Sequence, residues 1–175
     1  MRNFFSKMII ALFFIILDIN IGIDFLPDII GYFLIASALA KLSGSHSAKM
    51  AFWLAVILGL LSLVEMPIFQ GALASEPILT QYSFSLVFGT LLLSYYYAIF
   101  NVCLELLKDS PYIRYTTKVK YMMLTSTWLT LMTPVVQLHL NENDSMIFLI
   151  LIIVLTSIAF FIFLIYLYKM MRYVN

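Results

Sequence analysis

The chain has 175 residues, of which 63% are hydrophobic and 11% charged, with a formal net charge of +1. Soluble domains run to about half apolar and a quarter charged, so a water-soluble domain is excluded and one integral membrane domain, residues 1–175, is expected in a lipid bilayer. The Lys/Arg set is small and spread out, as at Arg114, Lys118 and Lys120, which excludes nucleic acid as a partner.

Taken in order, Arg2 and Lys7 precede the apolar run Met8–Leu17 in the manner of a signal peptide. Asp18-Ile19-Asn20 follows where a small-residue cleavage site would stand, so an uncleaved first helix is expected. Apolar runs then give six spans, placed at 4–22, 27–42, 49–69, 82–107, 119–139 and 146–168. Between them lie Ser43-Gly44-Ser45-His46-Ser47, the stretch Gly71 to Pro77, Lys108 to Lys118, and Asn141-Glu142-Asn143-Asp144. The expected fold class is all-α, a polytopic bundle of six transmembrane helices.

Charge sidedness supports that count. Arg2, Lys7, Lys41, Lys49, Lys108, Arg114, Lys118, Lys120, Lys169 and Arg172 all fall on one side of a six-span layout. Cytoplasmic loops collect Lys and Arg, so both termini are expected in the cytoplasm and the protein in the cell membrane as a multi-pass chain. The other side receives Asp18, Asp24, Asp28, Glu65, Glu76, Glu142 and Asp144, with His139 as the one cationic candidate there.

The densest acid cluster is Asp18, Asp24 and Asp28. Lys7 to Asp18 covers about 16 Å of helix and Lys41 to Asp28 about 20 Å, against roughly 30 Å of hydrocarbon, so these carboxylates are expected below the outer surface. An intramembrane carboxylate costs on the order of 3 kcal/mol, and it is therefore either satisfied by partners or functional. Two readings stand. Pro27 suits the first position of a helix and Asp24 or Asp28 its cap, which makes the cluster a loop-shaping device. Alternatively, Asp24, Asp28 and Tyr32 stack at i, i+4 and i+8 and form a proton, cation or amine site. Glu65, near the kink expected at Pro67, is a second acid with apolar neighbours.

Ser126, Thr130, Thr133 and Gln137 recur on one face of the fifth span, as a helix-packing stripe or as the wall of a polar cavity opposite the acids, with a bend at Pro134. On the fourth span, Tyr95, Tyr96 and Tyr97 cannot all face one way, and Asn101 and Glu105 form a polar inner end. Ala36 and Ala40 permit close helix approach on the second. The sixth, with Thr156 and Ser157 as its polar interior residues, reads as peripheral and lipid-facing. Cys103 is the single cysteine, which excludes an internal disulfide. Enzyme signatures are lacking, and His46 and His139 fall on opposite faces, so no catalytic residue, metal or cofactor is expected. The candidate ligand-binding residues are Asp18, Asp24, Asp28, Tyr32, Glu65, Thr130 and Gln137. Two functions follow from them: binding or transport of a cation or small cationic solute at an outward acidic pocket, or a non-catalytic accessory or protective role toward a membrane partner protein or peptide.

The string from Asp18 to Tyr32, with its I-D-x-L-P-D-x-I-G-Y pattern, resembles small multi-pass membrane proteins of Gram-positive bacteria without an assigned activity. That resemblance covers about the first 45 residues and implies location and topology. Size, helix count and an early Asp/Pro loop also look like the substrate-capture subunits of energy-coupling-factor transporters, which implies a third function, vitamin capture.

Overall fold

The computed structural model describes residues 2–16, 27–42, 44–63, 78–139 and 141–174. They form α1 (Arg2–Ile16), α2 (Pro27–Leu39) with a short 3-10 turn Ala40–Leu42, α3 (His46–Leu61), α4 (Ile78–Leu106), α5 (Ile113–Leu131), α6 (Thr133–His139) and α7 (Glu142–Tyr173). The protein is all-helical among the described residues. Two helices are long and apolar enough to cross a membrane, over Tyr82–Leu106 and Asn143–Tyr173.

Helix boundaries follow local chemistry. Pro27 opens α2 with Asp28 in its first turn, where the missing proline N–H costs nothing and a carboxylate meets the positive end of the helix. Ser45 caps α3 by accepting from the Ala48 amide at 3.1 Å. Asn141 caps α7 reciprocally: its side-chain oxygen accepts from the Asp144 amide at 2.9 Å, and its amide nitrogen donates to the Asp144 carboxylate at 2.8 Å. The bend expected at Pro134 is a helix break. Met132 ends α5, and Pro134 stands in the first turn of α6. Helix α7 runs well beyond the expected 146–168, and α5 begins six residues before the expected 119.

The helices pack in sequence, α1 on α2, α2 on α3, α3 on α4, α4 on α5 and α5 on α7, and α7 returns to α1, closing a six-membered ring. The packed pairs of this ring are antiparallel. Lys7 donates to the Ser37 hydroxyl at 2.8 Å, while Gly31 lies against Ala11 and Ile15. Ser47 donates to Glu105 at 2.6 Å, Lys120 meets Asn101, and Gly89 faces Leu131. Tyr112 meets Tyr173 edge-on and Thr130 meets Thr156. Residues Arg2 and Tyr173 therefore lie at the same end, together with the described Lys and Arg residues.

Packing is concentrated at this basic end. Phe5 and Met8 of α1, Ile35 and Leu39 of α2, Phe100 of α4, and Phe163, Tyr166 and Met170 of α7 are all fully buried. The rings of Phe100 and Phe163 are 5.2 Å apart and those of Phe100 and Tyr166 6.1 Å. The far end is loose: no described residue is buried from Thr80 to Ser94 of α4 or from Asn143 to Leu151 of α7. Helix α7 thus divides into a peripheral first half, as expected, and a second half that supplies the core.

The close approach expected at Ala36 and Ala40 lies elsewhere on the same helix. A side chain on Gly31 would meet the Ala11 carbonyl oxygen at 2.7 Å, and one on Gly59 would meet Tyr32 at 3.1 Å. Ala36 is buried and Ala40 exposed.

Candidate functional site

The splayed far end holds a cavity of about 580 Å³ between α4, α5, α6 and α7, within the range typical of small-molecule sites, about 300–1,000 Å³. The polar stripe read on the fifth span lines it: Ser126, Thr130, Thr133 and Gln137 are all wall residues. Thr127 and Thr156 add hydroxyls, and Tyr82, Phe88, Tyr96 and Phe160 add rings. No Lys, Arg, Asp or Glu occurs among the described lining residues.

Three of the wall hydroxyls are engaged. Thr127 donates to the Met123 carbonyl at 2.9 Å and Thr130 to the Ser126 carbonyl at 3.1 Å, each bonding back one helical turn. The Thr130 and Thr156 hydroxyl oxygens are 3.3 Å apart and join α5 to α7. The stripe thus serves both of its readings, as a helix contact through Thr130 and as a cavity wall along its length.

Of the other sequence candidates, Asp28 occupies the first turn of α2 and Tyr32 is buried one turn later, its ring edge-on to Tyr95 at 6.0 Å. Neither is among the described residues lining the cavity. Asp18, Asp24 and Glu65 lie outside the described residues, as does Pro67. Helix α2, which carries Asp28, meets α4 through the Tyr32 and Tyr95 rings.

Two polar clusters fasten the opposite end. Glu105 accepts from Ser45 and Ser47, which ties the α2–α3 turn to α4. Lys120 is 9% exposed, donates to the Asn101 side-chain oxygen at 2.6 Å and stands 4.2 Å from the centre of the Tyr97 ring. By sequence Lys120 counts only among the basic residues of one side. The signal was its place inside the expected span 119–139, where a lysine needs an acceptor. Thr156 was also missed as a wall residue, because nothing in a run of Ile, Leu and Val marks which face turns inward.

The three tyrosines divide as the helix requires: Tyr95 is buried, Tyr96 half-buried on the cavity wall and Tyr97 exposed. The Tyr95 hydroxyl is buried without a hydrogen-bond partner among the described residues. Leaving such a group unpaired costs about 1–3 kcal/mol, so Tyr95→Phe is expected to raise thermal stability in detergent. A lowered melting temperature would mean that this hydroxyl is bonded in the working protein.

No protein-family model, curated protein or solved structure matches the chain.

Proposed function

We propose that the protein is a six-pass membrane protein of the cell membrane, with both termini in the cytoplasm, that binds or transports a cation or small cationic solute from the outer side. The observation that carries this reading is the cavity. It lies at the end of the ring away from the lysines and arginines, and hydroxyls, an amide and aromatic rings line it. Such a lining opposes an anion, since no described wall residue carries positive charge, and it suits a cation through oxygen lone pairs and ring faces. Asp18, Asp24, Asp28 and Glu65 share that end by sequence and add negative potential.

The apolar exterior supports the membrane setting. Ile147 is 68% exposed, Ile153 63% and Phe161 66%, along a helix with few polar groups. In water so large an apolar face would drive association, whereas in lipid it costs nothing.

Accessibility tests the reading. The sole native cysteine, Cys103, is buried, so the chain is a natural background for single-cysteine labelling. In intact cells a membrane-impermeant maleimide is expected to label Thr133→Cys, while Lys118→Cys reacts only after the membrane is opened. Labelling of Lys118→Cys from outside would invert the topology and end the proposal.

A further inference from the structure

We infer that the ligand of this cavity is a protonated primary amine with an apolar body, an inference that rests on the cation-binding reading above and narrows it. A hydroxyl has one hydrogen to donate and two lone pairs to offer. The Thr127 hydrogen goes to the Met123 carbonyl and the Thr130 hydrogen to the Ser126 carbonyl. With the Thr130 hydrogen used, the 3.3 Å contact between Thr130 and Thr156 is made by the Thr156 hydrogen. Three wall hydroxyls on two helices therefore present only acceptor lone pairs to the cavity.

A ligand meeting that patch must bring its own hydrogens. An ammonium group supplies three, and its charge is attracted both to the oxygens and to the faces of Tyr96 and Phe160 on the same wall. A quaternary ammonium has charge but no donor, and it would leave the oxygens unpaired. A bare divalent cation needs about six converging oxygens, and much of this wall is aromatic or aliphatic. The apolar part of the wall calls for a hydrocarbon or aryl body on the amine.

The test uses the full chain in lipid nanodiscs and equilibrium dialysis with three probes of similar shape: phenethylammonium, its N-trimethylated analogue, and hydrocinnamate, a carboxylate. Phenethylammonium is expected to bind saturably and the trimethylated analogue about tenfold more weakly. Thr130→Val is expected to weaken phenethylammonium by about tenfold, while Thr130→Ser, which keeps the oxygen, retains binding. Should Thr130→Val fail to fold, the three-probe comparison on the wild type and Thr130→Ser decides alone. Equal binding of the two ammonium probes would overturn the amine assignment and leave the cation reading standing. Preference for hydrocinnamate would overturn both, and binding of neither ammonium probe would overturn the amine assignment.

Discussion

Asn101→Leu is expected to destabilise the protein by about 2 kcal/mol or more, read as a lowered midpoint in a thermal or denaturant scan in detergent. Asn101 is the acceptor for Lys120, whose ammonium lies 2.6 Å from the amide oxygen in a site that leaves the residue 9% exposed. Removing the oxygen takes away a charge-assisted bond and leaves a cation inside the α4–α5 contact facing the Tyr97 ring. Lys120→Met removes the charge together with its need for a partner, and a straight apolar chain fills much the same volume, so this variant should lie near the wild type. The Asn101→Leu, Lys120→Met double variant should recover most of the lost stability. If it is no better than Asn101→Leu alone, the cost comes from packing around residue 101, and the charge pairing is not its source.

Gly31→Val is expected to cost about 3 kcal/mol through the contact between α1 and α2. A Cβ at residue 31 would stand 2.5 Å from Cγ1 of Ile15 and 2.7 Å from the carbonyl oxygen of Ala11. The first atom can rotate away, but the second belongs to helix backbone and moves only if α1 moves. Gly31→Ala should cost less, because alanine returns up to about 1 kcal/mol of helix propensity against the same clash. Ile15→Ala should therefore rescue Gly31→Val only in part. Gly44→Ala, where nothing lies within 4 Å, serves as the neutral control. A Gly31→Val protein as stable as the wild type would mean that α1 and α2 do not cross at this point.

The sequence carried the fold further than the site. Hydrophobic runs marked the helices because most Lys, Arg, Asp and Glu gather at or near the ends of the apolar stretches. Their sidedness anticipated that α1 begins and α7 ends on the same face. The stripe from Ser126 to Gln137 was legible because its helical spacing puts four polar groups on one face, and these residues do line a cavity. Helix packing was less legible. Ala36 and Ala40 looked like the close-contact pair, yet the tight crossing uses Gly31, since contact distance is set by which face meets the neighbour as well as by side-chain size. Thr156 and the Asn101–Lys120 pair were hidden for a related reason: each depends on a partner 19 or 26 residues away in the chain.

The contact of α1 with α7 has a consequence for biogenesis. These are the earliest and latest helices of the described chain to leave the ribosome, so the ring cannot seal until translation has delivered α7. Until then the inward flanks of α1 and α5 are open to whatever a chaperone offers, and a nascent chain halted before Glu142 would be a horseshoe with both edges bare.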